Sequence, residues 1–165
     1  MTDPDALRFA KHFERAQGWL GLDKPLTAAE SLEAIPPAYR ERPEVLELWS
    51  HVRMAAKQWA EAEPLLRRLQ LLQPGEAQHW VNLAYTVRRL RSLAEAEPIL
   101  REGVRRFPEV GLIRFNLACY AAQQGRLAEV TPLLEAAFRF EPGLREIARS
   151  DPDLEPYRQS RAVGH

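Results

Sequence analysis

The sequence predicts an all-α fold, a right-handed α-solenoid of four helix-turn-helix repeats closed by a C-terminal capping helix. Three observations predict it. Residue types recur at a step of 34: Glu61, Glu95 and Glu129; Pro64, Pro98 and Pro132; Leu66, Leu100 and Leu134; Pro74, Pro108 and Pro142; Ala60, Ala94 and Ala128. The pairs Asn82/Asn116, Leu83/Leu117 and Ala84/Ala118 keep the same step. A fixed period of this length marks stacked units that each bury a face against the next. Within one period the apolar residues follow helical spacing twice, and the recurrent prolines punctuate it.

The repeats are expected over residues 5–37, 43–76, 77–110 and 111–144, with a cap over 145–160, in one domain spanning 1–165. The first repeat is degenerate. Ala28, Leu32, Ile35 and Pro36 hold its pattern, the linker Gly21 to Lys24 reads as longer than usual, and Thr27 with Glu30 reads as a capping box. The third repeat is the clearest. Its first helix is predicted over 77–90, with Trp80, Leu83, Ala84 and Val87 on one face. Its second is predicted over 94–106, with Ala96, Ile99, Leu100 and Gly103 on one face and Ser92 and Glu95 as a capping box. The spacing places Pro64, Pro98 and Pro132 in the first turn of each second helix, where an amide has no intrahelical acceptor. Pro74, Pro108 and Pro142 then stop those helices. Ala62, Ala84, Ala96 and Ala118 mark close helix approaches, where a larger side chain overpacks the contact. Past Gly143 the repeat is lost. Leu144 to Arg149 reads as a short helix, and Asp151-Pro152 as the N-cap and N1 proline of another reaching Gln159. Arg161 to His165 are expected to fray.

Bulk properties bound the function. At 45% hydrophobic the chain can bury a core, and 23 basic against 23 acidic residues give no global field for nucleic acid or an anionic membrane. Cys119 is the one cysteine, so no intrachain disulfide forms, which fits a reducing compartment. Met1 to Phe13 lacks the apolar core of a signal peptide, and no run approaches the 18 apolar residues of a membrane span. A soluble cytoplasmic protein is the expectation.

Four stretches carry a family resemblance. Trp80-Val-Asn-Leu-Ala84 followed by Ala96, Leu100 and Pro108 resembles the tetratricopeptide pattern of spaced Trp, Leu, small residue, Ala and Pro. Asn116-Leu-Ala118 followed by Gly125, Leu134, Ala137 and Pro142 is similar, and Trp49-Ser50, Trp59, Ala62, Leu66 and Pro74 form a looser copy. The Asp151-Pro-Asp-Leu-Glu-Pro-Tyr157 segment resembles C-terminal segments of bacterial tetratricopeptide proteins. The resemblance covers residues 5–142 and implies a right-handed superhelix whose first helices line a concave, partner-binding side. A fold of this kind does not by itself set a function.

The groove residues follow from the helical faces. The third repeat offers Gln78, Val81, Asn82, Tyr85 and Arg89; the fourth offers Leu112, Phe115, Asn116, Cys119 and Gln123. The second offers Glu44, Glu47, Leu48, His51 and Ala55, of which Glu47 and His51 are the candidates. Aromatics, amides and one Arg suit an extended or helical peptide: the amides pair with its backbone, and Tyr85 and Phe115 bury its side chains. A second reading of the same residues stays open, in which Val81, Leu112 and Phe115 pack on neighbouring helices and the asparagines bond within the solenoid. The carboxylate clamp of eukaryotic tetratricopeptide proteins is not matched. Asn82 fits its middle asparagine, but Leu112 and Asn116 stand where basic residues belong.

The expected function is therefore a non-catalytic scaffold for a protein or peptide, with no cofactor and no metal. His12, His51, His79 and His165 lack ligand spacing, and no base with an orienting partner accompanies Cys119. The run Arg88, Arg89, Arg91, Arg101, Arg105 and Arg106 alternates with Glu95, Glu97 and Glu102, as a solvated surface does. The alternatives are a self-assembling module, using edges near Trp19, Tyr39 and Trp59, and an accessory subunit contacting nucleic acid or an enzyme.

Overall fold

A computed structural model describes residues 3–163. They divide into two compact units, one ending at His79 and one beginning at Trp80. The first holds α1 (Pro4–Gly21), α2 (Pro25–Glu33), a 3₁₀ turn (Pro37–Tyr39), α3 (Pro43–Ala55) and α4 (Trp59–Leu72). The second holds α5 (Gln78–Leu90), whose first two residues close the first unit, α6 (Leu93–Arg106), α7 (Gly111–Gln123) and α8 (Leu127–Phe140). It ends with α9 (Leu144–Ser150), a second 3₁₀ turn (Pro152–Leu154) and α10 (Glu155–Val163). No strand occurs among the described residues. Of the segment expected to fray, Arg161–Val163 continue α10, while Gly164 and His165, like Met1 and Thr2, lie outside the described residues.

In the first unit, Ala16 of α1, Ala28, Ala29 and Leu32 of α2, Ile35, and Val45, Leu48 and Val52 of α3 form one buried cluster. Phe9, Phe13, Trp19, Leu20, Tyr39 and Trp49 cover it from outside. Proline opens α1, α2 and α3, where the missing amide costs no helical bond. In the second unit, Trp80, Leu83, Ala84 and Val87 of α5 are buried, as are Ala96 and Leu100 of α6. Trp80 meets Phe107 edge to face at 5.2 Å. A Cβ on Gly111 would sit 2.5 Å from the Ala137 carbonyl, so only glycine lets α7 start against α8. The alanines at 62, 84, 96 and 118 are wholly buried.

The turns inside the repeats keep the period in their backbone. Asp23, Lys57 and Gly125 all have positive φ, at 55°, 59° and 73°. The next residues, Lys24, Gln58 and Arg126, donate to carbonyls five positions back, those of Trp19, Arg53 and Ala121, at 2.8–2.9 Å. This is a left-handed helix stop, repeated at the 34-residue step. The third repeat departs from it. Arg91 donates to Val87 in an ordinary helical bond, and Ser92 restarts the chain by accepting from the Glu95 amide at 3.2 Å.

Three sequence expectations are corrected here. The linker after α1 is three residues, Leu22 to Lys24, the same length as Ala56–Gln58 and Gln124–Arg126. Thr27 is no cap, because Pro25 already begins α2 and Lys24 holds the cap position; Ser31 Oγ donates to the Thr27 carbonyl instead. Pro64, Pro98 and Pro132 are each the sixth residue of their helices, a turn later than expected. Each therefore removes a bond to Ala60, Ala94 or Ala128, and all six residues are exposed, so water can serve those carbonyls.

Candidate functional site

In the first unit, Glu47 and His51 sit half-buried on α3, and Gln78 is exposed at the start of α5. Facing them is a residue the sequence reading gave no role, His79. It is buried, with Nε2 3.0 Å from Gln73 Oε1. Burial pushes its pKa below the usual histidine value; the carboxylates of Glu47 and Glu76 act the other way, and His51 adds to the lowering. His79 thus packs as a neutral ring.

In the second unit the predicted face divides along its length. Val81 and Asn82 are half-buried on α5, and Tyr85 and Arg89 are exposed. On α7, Leu112 and Asn116 are half-buried, and Asn116 Nδ2 donates to the Leu112 carbonyl of its own helix at 2.9 Å. The Leu112 amide in turn donates to the Glu141 carboxylate at 3.1 Å, which caps the first turn of α7. Phe115 and Cys119 are corrections to the predicted groove: they are 4% and 3% exposed and present nothing to a partner. Burial, with the carboxylates of Asp151 and Asp153 nearby, raises the Cys119 thiol pKa, so it is no thiolate nucleophile.

The chain's own tail packs on α7, with Asp151 and Asp153 near Cys119. The second 3₁₀ turn packs on α7, and α10 packs on both α7 and α8. Leu154 is 1% exposed. Arg88 grips the Asp153 carboxylate with both terminal nitrogens, at 2.5 and 3.0 Å, and its guanidinium lies 5.3 Å from the centre of the Tyr120 ring. Gln123, a predicted groove residue, donates to the Asp153 carbonyl at 3.0 Å. Asp151 shapes the turn by accepting from the Asp153 amide at 2.8 Å. The tail does more than cap the last repeat: it reaches across to α5. Sequence reasoning placed Arg88 in a solvated run. The missed signal is its position, three residues from Tyr85 and seven from Val81, on the same stripe of α5.

Four other arginines of that run pair locally. Arg91 meets Glu95, Arg101 meets Glu97, and Arg105 and Arg106 both meet Glu102. Trp19, Tyr39 and Trp59 are half-buried. Among the described residues no group of three His, Cys, Asp or Glu side chains is arranged to hold a metal ion, and no helix is long and apolar enough to cross a membrane.

Helix pairs, in-phase turns and buried small residues together define the class, an all-α solenoid with tetratricopeptide-like repeats. The likeness to a solved structure agrees. The structure described as "MamA RS-1 ArsTM double mutant" matches with a TM-score of 0.67 at 14% sequence identity, covering 95% of this chain and 94% of that one. At that identity the likeness carries the fold alone. No protein-family model and no curated protein matches the chain.

Proposed function

We propose that the chain is a non-catalytic scaffold that holds a protein or peptide on the first helices of its repeats, and that in the second unit the contact is made by Val81, Asn82 and Tyr85 of α5 with Leu112 and Asn116 of α7. The observation that carries this is Tyr85. It is a large aromatic, 42% exposed, on a helix whose other face is buried core. Tyrosine in such a setting offers apolar area and a hydroxyl at little entropic cost, which is why it is enriched at protein contacts. The balanced charge and locally paired arginines favour a protein over nucleic acid as the partner, and the burial of Cys119 fits a non-catalytic role. Arg89 belongs to this second-unit contact, and Glu47, His51 and Gln78 are proposed as a contact of the first unit by itself.

Capture from a native lysate tests the reading. Wild-type protein retains partners that the double variant Asn82→Ala, Tyr85→Ala loses, with both proteins melting alike. Equal recovery by the two contradicts it.

A further inference from the structure

At the ends of α5 and α7 the chain seats a segment of itself. Arg88 holds both oxygens of Asp153, a geometry that selects a carboxylate over any neutral group. Gln123 binds the backbone of the same residue, and the next side chain, Leu154, is buried. A carboxylate, a peptide carbonyl and an apolar side chain in sequence are the features of a bound acidic peptide. The turn itself makes a small contact, one half-buried ion pair, one backbone bond and one buried leucine, while α10 beyond it packs on α7 and α8 and keeps the tail tethered.

We propose that Arg88, Tyr120 and Gln123 form a seat for an acidic peptide turn of the form Asp-Leu, and that Asp153-Leu154 of the chain's own tail, itself a 3₁₀ turn, occupies it as an internal competitor. This deepens the reading of the α5/α7 face and rests on it. A tethered segment works at an effective concentration of about millimolar, so an external segment with only the same contacts loses to it. A partner prevails by adding contacts beyond the seat, along the same stripe of α5, where Tyr85 is three residues from Arg88 and Val81 seven. The tail then sets a threshold: it rejects short acidic peptides and yields to segments that span both the seat and Tyr85.

The probe is a fluorescently labelled synthetic peptide of residues 150–160, titrated into the full chain and read by anisotropy. The expected result is weak binding to wild type and binding at least tenfold tighter to Asp153→Ala. Asp153→Ala combined with Leu154→Ala, which also removes the turn's buried side chain, binds tighter again. Adding Arg88→Ala, or replacing the aspartate equivalent to Asp153 in the peptide by alanine, returns affinity to the wild-type level. Circular dichroism checks that each variant keeps its helices; Asp153→Asn, which keeps size and the backbone bond, replaces Asp153→Ala if it does not. The proposal is overturned if no tail variant gains affinity, or if the gain survives loss of Arg88 or of the peptide's aspartate. Lysate partners lost with Asn82 and Tyr85 but insensitive to Asp153 leave the groove reading standing and remove only the acidic seat.

Discussion

Helices α3 and α7 occupy the same place in their repeats, and at the 34-residue step Glu47 of α3 corresponds to Phe115 of α7, and His51 to Cys119. Their surroundings differ. The α3 positions are half-buried and polar, and neutral His79 packs near them. The α7 positions are buried and apolar, and the tail packs on the same helix. From Leu117 to Ala122 every residue of α7 is buried, on all sides of the helix. A helix that is apolar all round needs cover on both faces. The repeat therefore fixes where the helices go, while residues outside the repeat decide which of their faces remain open.

Breaking the cover on α7 gives the largest expected effect. Leu154→Ala empties a buried site and destabilises the protein by about 2–4 kcal/mol, read as a lowered midpoint in chemical denaturation. A midpoint within error of wild type means that Leu154 packs nothing of consequence.

The next test acts on the polar counterpart. Folding holds the His79 pKa below its unfolded value, so the unfolded chain takes up the proton first as pH falls. The stability His79 contributes is present above the unfolded histidine pKa and is lost as pH drops through the lower folded one. His79→Gln keeps a polar partner for Gln73 and flattens the stability curve on the acid side of neutrality. An unchanged pH slope contradicts the assignment of a buried neutral ring.

The smallest effect sharpens the comparison at the helix ends. Gly125 closes α7 in the left-handed region without strain, whereas Lys57 closes α3 there with a Cβ, at φ 59°. Lys57→Gly makes the two stops alike and stabilises the protein by about 0.5–1 kcal/mol, measured by thermal melting. Destabilisation instead means that the Lys57 side chain makes a contact worth more than the strain.

Much of the fold is legible in the sequence because its signals are local and in phase. The 34-residue step, the face of Trp80, Leu83, Ala84 and Val87, and the Ser92 cap each restate the same architecture. The left-handed stops are less legible, since Asp23 and Lys57 carry no glycine to announce them. The site is half legible. Helical spacing puts Val81, Tyr85 and Asn116 on the expected helices, but it cannot say that a tail 65 residues from Arg88 returns to pair with it. One hint is in the sequence: α7 lacks the polar stripe that a groove-lining helix keeps, and Phe115, Cys119, Ala121 and Ala122 together ask for a cover.

The sole cysteine offers the most direct measurement, the rate at which Cys119 reacts with a soluble aromatic disulfide under native conditions. Wild type is expected to react far more slowly than the denatured chain, with Asp153→Ala and Leu154→Ala each raising the native rate at least tenfold while the helices stay intact. Fast labelling of wild type, or no acceleration in either variant, would show that the tail does not cover α7.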